Sequence, residues 1–421
     1  MNNYLQRAAA IMQRINLLAT ISEDMDCLTR TFGTEAFVTG ALQVKKWMED
    51  AGLQTRLDNI GNVRGKLLCI NEQAKTLVIA SHIDTVVNAG KFDGPLGVIM
   101  GLNLIEELKL QNKEVPFHIE LIAFSDEEGC RFHTTYLGSK VVAGSFDTTN
   151  LLKEDKGGTS LQQAIWNIRG NVDELIYDAI PKEKWLGYFE IHIEQGPVLY
   201  ENKIPVAAVT AIAGQKRAEL IFDGMAGHAG TVPMDMRKDA LAAAADFILA
   251  TEDFAQHNKN RLVATVGKLD ITHAASNVIP GKVTCSIDIR SADEIVLDTA
   301  EQSLKEMLVA IGNKRNIMTE WKSIQQLKPV ECDAALTSVL SEAIVESGYK
   351  LIELVSGAGH DAVPVSAVAP VSMLFVRCFE GISHNPLENA ELEDIAAAIK
   401  VSEQFLHNMI KKYTTHTTSA V

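Results

Sequence analysis

Carboxylate and imidazole side chains that follow short apolar runs are the groups in this sequence best suited to chemistry. His82 and Asp84 lie in SHIDT (residues 81–85), directly after the apolar run LVIA. A spacing of two residues in an extended chain places both side chains on the same side. We interpret the pair as a metal-binding imidazole whose second nitrogen is held by a carboxylate. A hydrogen-bonded histidine at a strand end, without a metal, is the alternative.

A second apolar run, LIAF, is followed by three consecutive carboxylates, Asp126, Glu127 and Glu128. Their charges would repel one another unless cations lay among them. One glutamate could bind a metal ion while the other accepts a proton from water. A solvated acidic loop is the alternative interpretation.

Three further candidates are widely separated along the chain. Asp93 lies in KFDGP, where its neighbours alone would make it a turn residue. His192 lies in HIEQG, and His384 lies in GISHNP. Imidazoles and carboxylates without cysteine favour zinc or manganese at a site that water can reach. Because three histidines, two carboxylates and a water exceed one tetrahedral shell, we expect two metal ions in a site that the fold assembles.

Taken in order, the segments SHIDT, FDG, DEEG, HIEQG and GISHNP resemble those of dinuclear metallohydrolases of the M20 metallopeptidase family. Within that family, the chain resembles the amidase/hydantoinase/carbamoylase branch along nearly its whole length. His192 marks this branch, since the peptidases of the wider family usually carry an acidic ligand at that position. Further matching segments are GQKR (214–217), GHAGTVPM (227–234), NVIPG (277–281) and SGAGHD (356–361).

The resemblance implies two divalent metal ions per subunit, zinc or manganese, with a shared carboxylate. The implied ligands are His82, Asp93 and His192 for one ion and Asp93, Glu128 and His384 for the other. Asp93 would therefore bridge the two ions. Asp84 would orient His82, and Glu127 would accept a proton from the attacking water.

The same resemblance implies a set of substrate contacts. The residues concerned are Gln215, His228, Asn277, Arg290, Gly357 and Ala358. His228 would stabilise the oxyanion and would reach the site from the partner subunit of a homodimer. Arg290 would bind the substrate carboxylate, and the other four would offer side-chain amides or backbone N–H groups. The alternatives are a loop histidine for His228 and an ion pair with Asp288 or Asp293 for Arg290.

These side chains require a fold that brings distant segments together. Apolar strands expected at residues 77–81 and 119–124, with a helix at 98–110 between them, indicate an α/β sheet whose strand ends carry candidates. From about residue 213, a β-α-β-β-α-β order indicates a ferredoxin-like domain. Its expected strands are 216–222, 262–269, 282–290 and 316–321, and its expected helices are 239–256 and 293–311.

We therefore predict a mixed-sheet α/β metallohydrolase domain formed by residues 1–212 and 328–421. Residues 213–327 are predicted to form an inserted ferredoxin-like α+β domain that serves as lid and dimerisation domain. A last helix is expected at 392–411. The remaining ten residues are rich in threonine and polar, so we expect them to be disordered.

Composition and charge limit the class of protein. The chain has 421 residues, of which 47% are hydrophobic and 22% are charged, as in folded proteins of more than one domain. A formal net charge of −15 disfavours nucleic acid and anionic membranes as partners. No apolar run reaches the roughly 18 residues of a membrane span, and no signal peptide pattern is evident. Since the six cysteines form no CxxC pair, we expect reduced thiols in a cytoplasmic protein.

The resemblance implies a homodimeric, metal-dependent amidohydrolase that acts on the ureido group of a small carboxylate. Allantoate is the expected substrate, which water would convert to ureidoglycine, ammonia and carbon dioxide. N-carbamoyl-L-amino acids or 3-ureidopropionate are the alternative substrates. A peptidase is disfavoured by His192, and a binding protein without activity is disfavoured by the complete ligand set and Glu127.

Overall fold

The computed structural model describes residues 2–417 as two compact units. One unit contains the described residues up to Thr210 together with those from Cys332 onward, and the other is Ala211–Glu331. The chain therefore leaves the first unit once and returns to it once. The assignment of the second unit as a lid and dimerisation domain stays a prediction.

The first unit begins with helices and strands that alternate up to the second unit. They are α1 (Asn2–Ala19), α2 (Glu35–Asp50), β1 (Gln54–Leu57), β2 (Val63–Leu67), β3 (Thr76–His82), α3 (Pro95–Leu110), β4 (His118–Phe124), α4 (Leu137–Val142), α5 (Leu161–Asn167), β5 (Trp185–Ile193), α6 (Val198–Asn202) and β6 (Val206–Ile212).

The second unit and the returning chain supply the other elements. Those of the second unit are β7 (Gly214–Asp223), β8 (Gly227–His228), α7 (Ala240–His257), β9 (Val263–Thr265), β10 (Leu269–Ile271), β11 (Val278–Ile279), β12 (Lys282–Ser291), α8 (Glu294–Arg315), β13 (Met318–Leu327) and β14 (Val330–Glu331). The returning chain forms α9 (Ala334–Glu346), β15 (Glu353–Ser356), α10 (Ala362–Val365), β16 (Val371–Val376) and α11 (Leu392–Thr417).

A nine-stranded mixed sheet has the order β1-β2-β4-β3-β5-β16-β6-β14, and β15 pairs with β6. Its centre is parallel, because β3 pairs in parallel with β4 and β5, and β5 pairs in parallel with β16. Strands β3, β4 and β16 are buried along their whole length, which explains their continuous apolar sequences. The carboxyl ends of these strands therefore meet at one edge of the sheet.

The second unit contains a five-stranded antiparallel sheet with the order β10-β12-β7-β13, in which β9 also pairs with β12. Helices α7 and α8 pack on this sheet through a core that includes Phe222, Phe247 and Leu304. Both helices begin after an aspartate whose carboxylate accepts backbone amides, Asp239 for α7 and Asp293 for α8. The ferredoxin-like β-α-β-β-α-β order is therefore present.

The single strand expected at residues 262–269 is wrong. The segment forms two short strands, because Thr265 pairs with Asp288 whereas Leu269 pairs with Cys285. The segment advances by four residues, from Thr265 to Leu269, where β12 advances by three, from Asp288 to Cys285. One extra residue must therefore be accommodated near Gly267. A β-bulge leaves no clear pattern in an amphipathic sequence, which is why the interruption was not expected.

The carboxyl-terminal helix also differs from its expected length. Helix α11 continues to Thr417, so the expectation of disorder is wrong for residues 412–417. Residues 418–421, the rest of that segment, lie outside the described residues. Among the helices of residues 2–417, none is long and apolar enough to cross a membrane.

Candidate metal centre

The candidate ligands meet at the carboxyl edge of the parallel strands. His82 is the last residue of β3, His192 lies one residue before the end of β5, and Glu127 and Glu128 follow β4. Asp93 immediately precedes Gly94, whose φ of +84° turns the chain into α3. His384 lies in the loop between β16 and α11. The fold therefore brings together residues that are up to 302 positions apart.

One group of donor atoms contains His82, Asp93 and His192, with all three donor atoms within 4.8 Å of one another. Nε2 of His192 lies 3.1 Å from Oδ1 of Asp93, and Nε2 of His82 lies 3.7 Å from the same oxygen. All three side chains are buried. Both imidazoles thus direct one ring nitrogen at a single carboxylate oxygen.

A second group contains Asp93, Glu128 and His384, again within 4.8 Å. Nε2 of His384 lies 3.0 Å from Oδ2 of Asp93 and 3.4 Å from Oε1 of Glu128. The side chain of His384 is 49% exposed, whereas that of Asp93 is 8% exposed. Asp93 therefore presents one oxygen to each group, and the second group is open to solvent on the side of His384.

Asp84 connects the first histidine with the acidic loop. Its Oδ1 and Oδ2 atoms accept hydrogen bonds from the backbone amides of Glu127 (3.1 Å) and Glu128 (3.2 Å). Nδ1 of His82 lies 3.1 Å from the carbonyl oxygen of Asp84 and 3.6 Å from its Oδ1. A third donor group joins His82 to both glutamates. The carbonyl of Asp84, rather than its carboxylate, is thus the nearer partner of His82, and the carboxylate fixes the loop that carries the two glutamates.

The electrostatics of the acidic side chains fit bound cations. Burial raises the pKa of Glu128 to about 7, and the charge of Asp93 adds to this effect. Burial also raises the pKa of Glu127 well above its usual range, with His82 opposing. A cation between the carboxylates would favour their ionised forms. Oxygen and imidazole donors in two groups that share a buried carboxylate are a donor set that suits divalent ions.

Three residues around the centre have a backbone conformation that L-amino acids rarely adopt. The φ angles are +51° for Asp126, +56° for Gln195 and +53° for His384. Such residues persist only where the surrounding structure holds them, and they concentrate at functional sites. Because none of the three is a glycine, the side chain at each position is retained despite the backbone strain, which indicates a role for it at the site.

Gln195 and Ser383 are residues near the centre that sequence reasoning did not single out. Nε2 of Gln195 donates to Oδ2 of Asp93 at 2.9 Å, and Oγ of Ser383 lies 3.2 Å from that oxygen. Oε1 of Gln195 is buried and has no hydrogen-bond partner among the described residues. Their positions beside His192 and His384 in the two motifs were the available signal.

In the SGAGHD segment, His360 and Asp361 contact different residues rather than each other. Nε2 of His360 lies 2.7 Å from Oγ of Ser356, and Asp361 instead accepts a hydrogen bond from Ser139. The ring of His360 packs edge-on against that of His192, with 4.5 Å between the ring centroids. Oγ of Ser356 also accepts the amide of Ala358 at 3.2 Å. The turn of Gly357 and Ala358 is thereby connected to a metal-centre histidine.

The predicted substrate residues of the second unit form two pairs. His228 in β8 pairs with Val278 in β11, and the carbonyl of Asn277 accepts the amide of Ala229 at 2.9 Å. This places His228 beside Asn277. Nδ1 of His228 accepts the amide of Gly230 at 3.0 Å, so Nε2 is the ring nitrogen that can donate a hydrogen bond.

The other pair is Gln215 and Arg290, which are register partners in β7 and β12. Both contact Asp288. Nε and Nη2 of Arg290 donate to its two carboxylate oxygens at 3.0 Å each, and Nε2 of Gln215 donates at 2.8 Å. Arg217 donates to the same carboxylate at 2.9 Å. The alternative considered for Arg290, an ion pair with Asp288, is therefore present, and it fixes the guanidinium plane.

The fold and the donor groups define an α/β protein with a candidate metal centre at the carboxyl edge of a mixed sheet, where two donor groups share Asp93. The sequence profile of Peptidase family M20/M25/M40 matches residues 78–408. The chain therefore belongs to this family of metal-dependent enzymes, as the motifs predicted.

Individual relatives resemble the chain over nearly its full length. Allantoate deiminase 1 of Glycine max is 39% identical, with 94% of this chain and 88% of the relative covered. N-carbamoyl-L-amino-acid amidohydrolase of Pseudomonas sp. is 35% identical, with 86% and 88% covered. The crystal structure of a hydantoinase/carbamoylase family amidase from Burkholderia multivorans has a TM-score of 0.88 and 32% identity, with 96% and 97% covered.

Proposed function

We propose that this protein is a metal-dependent amidohydrolase that removes the carbamoyl group of a small ureido carboxylate, with allantoate as substrate. Allantoate and water would give ureidoglycine, ammonia and carbon dioxide. The identity of 39% to a protein named allantoate deiminase, against 35% to an N-carbamoyl-L-amino-acid amidohydrolase, favours this substrate. The second activity is the alternative, because that relative also aligns with 86% of the chain.

The observation that carries the proposal is the sharing of Asp93 between two donor groups with Glu127 beside them. Zinc or manganese ions bound to the two groups would polarise the ureido carbonyl and lower the pKa of a water molecule. His82, Asp93 and His192 would hold one ion, and Asp93, Glu128 and His384 the other. The number and identity of the ions are part of the proposal.

Glu127 is suited to move the proton. Its carboxylate is buried, and Asp84 fixes the loop that carries it by accepting its backbone amide. It would accept a proton from the attacking water and return it to the leaving nitrogen. Burial raises the pKa of this carboxyl group well above its ordinary value, which makes the carboxylate a stronger base.

The substrate would be bound by groups of complementary charge and hydrogen bonding. Arg290 would bind the carboxylate in a bidentate fashion, with Gln215 and Asn277 as further donors. The turn of Gly357 and Ala358 would contact the other end of the substrate. His228 would stabilise the developing oxyanion from the partner subunit of a homodimer. We further propose that the protein acts in the cytoplasm without a nucleic acid or membrane partner.

Steady-state kinetics on a panel of acids test the substrate. The panel contains allantoate, N-carbamoyl-L-amino acids, 3-ureidopropionate and an unblocked dipeptide. We expect the highest kcat/KM for allantoate and no turnover of the dipeptide. A higher kcat/KM for a carbamoyl amino acid would establish the alternative substrate, and preference for the dipeptide would refute the amidohydrolase proposal.

A further inference from the structure

Glu388 connects two loops that carry candidate ligands, although it belongs to no donor group. It follows His384 by four residues and is 3% exposed. Its Oε1 atom accepts the backbone amides of Phe92 at 2.7 Å and of Asp93 at 3.1 Å. Its Oε2 atom accepts the hydroxyl of Ser383 at 2.9 Å. One buried carboxylate thus holds backbone on one loop and a side chain on the other.

These contacts bear directly on the orientation of Asp93 and His384. Oγ of Ser383 also lies 3.2 Å from Oδ2 of Asp93, so its hydroxyl hydrogen is shared between two carboxylates. Ser383 is the residue before His384, and the two loops are 290 residues apart along the chain. Hydrogen bonds to an ionised carboxylate are roughly twice as strong as neutral ones. The contacts of Glu388 therefore hold both loops at once.

The local backbone is built to admit Glu388. A Cβ atom at Gly90 would overlap the carboxyl group of Glu388, so a residue without a side chain is needed there. On the other loop, the amide of Glu388 donates to the carbonyl of Asn385 at 2.9 Å and closes the turn after His384. Since His384 has a φ of +53°, this turn must hold a strained conformation.

We propose that Glu388 is a positioning residue that sets Asp93 and His384 for a metal ion at the group of Asp93, Glu128 and His384. This role rests on the proposed function of the centre. Glu388 supports two of the three donors of this group but only Asp93 of the group that includes His82 and His192. Metal binding at the former group should therefore depend on Glu388 more strongly than binding at the latter.

Calorimetric titration of metal-free protein with Mn²⁺ tests the proposal. The wild-type chain should bind two ions. Glu388→Ala should weaken the binding of the ion at the group of Asp93, Glu128 and His384 by about tenfold or more, in the range found for groups that support metal ligands. It should weaken the binding of the other ion less. Glu388→Gln keeps an oxygen acceptor for the amides of Phe92 and Asp93, so it should recover part of the loss.

Asp293→Asn is the matched control, because Asp293 also accepts two backbone amides with one oxygen but does so at the start of α8. This variant should leave both affinities unchanged. If Glu388→Ala does not fold, Glu388→Asp decides the question, since it keeps the charge but withdraws it by one methylene group. Glu388→Asp should also bind the ion at the group of Asp93, Glu128 and His384 more weakly.

The outcomes separate this role from the proposed function. A wild-type chain that binds no Mn²⁺ would overturn both. Two ions in the wild type, with equal losses at both sites or no loss in Glu388→Ala and Glu388→Asp, would overturn the role of Glu388 alone. A loss in Asp293→Asn as large as in the Glu388 variants would show a general effect of destabilisation and would also overturn it.

Discussion

The Oδ1 atom of Asp84 accepts a hydrogen bond of 3.1 Å from the backbone amide of Glu127. This contact joins the ends of β3 and β4, which are parallel neighbours in the sheet. The side chain that neighbours His82 therefore also determines where the acidic loop begins. A change at Asp84 should disturb a donor histidine and the proposed proton acceptor together.

Asp84→Asn should lower kcat/KM by about 10–100-fold, as is typical when a group that supports a metal ligand is changed. The new amide nitrogen would face a backbone N–H of Glu127 or Glu128, and two donors repel. Kinetics and metal content of the purified variant measure the effect. Asp239→Asn is a control with a similar amide-accepting role at the start of α7. Equal activity of Asp84→Asn and wild type would contradict the assignment.

Glu127→Gln should lower kcat by about 10²–10⁴-fold, because the amide cannot accept the proton of the attacking water. The side-chain size is kept, and Glu127 is in neither group that would hold the two ions. Metal stoichiometry, measured by elemental analysis, should therefore stay at the wild-type value. A variant that keeps its ions and full activity would remove Glu127 from the mechanism.

Several residues of the candidate metal centre could be singled out from the sequence because apolar runs end at them. Strand β3 ends at His82 and β4 ends two residues before Asp126, so local pattern alone placed candidates at one sheet edge. Asp93 and His384 have no such strand before them within the motif. Their assignment to particular donor groups depended on the family resemblance, and their roles as ligands stay a prediction.

Contacts between distant loops could not be predicted. The hydrogen bonds from Gln195 to Asp93, and from the Phe92 amide to Glu388, join segments that are 102 and 296 residues apart. No local periodicity reports such a contact, since it depends on how two strand ends are placed in three dimensions. Similarly, Ser139 contacts Asp361 because α4 lies against α10.

Asp58 should make stability depend on pH. Burial raises the pKa of Asp58 to about 6, with Arg64 opposing. The folded chain therefore binds this proton more tightly than the unfolded chain, and stability falls as pH rises from about 4 to about 6. The cost at neutral pH is about 3 kcal/mol. This residue matters to the site because it holds Asn62, which accepts the amide of Ser125 before the acidic loop.

The measurement is the difference in Tm between Asp58→Asn and wild type from pH 4 to pH 7. The variant loses an acceptor for Asn62, which shifts the difference by a constant amount. The variant should nevertheless gain relative to wild type as pH rises, and the gain should level off above about pH 6. A difference that does not change with pH would contradict the raised pKa.

Mixing two inactive variants tests whether His228 acts across a homodimer. Dimers that combine a Glu127→Gln subunit with a His228→Ala subunit would contain one complete site, if His228 is supplied by the partner. Random exchange makes half of the dimers mixed, so activity should return to about a quarter of the wild-type value. Each variant alone stays inactive. No recovery after verified exchange would place His228 in the same subunit as its metal centre.

Arg290→Lys should raise KM for the substrate with a smaller effect on kcat, since a carboxylate held by two parallel N–H groups would lose one of them. We expect kcat/KM to fall by about 10–100-fold, equivalent to about 1.4–2.8 kcal/mol. Arg217→Lys is the matched control, because Arg217 also donates to Asp288 but with 47% of its side chain exposed. Asp288 holds both arginines, so a loss of fold or of local order would affect both variants. Equal KM changes in the two variants would mean that Arg290 supports the sheet rather than the substrate.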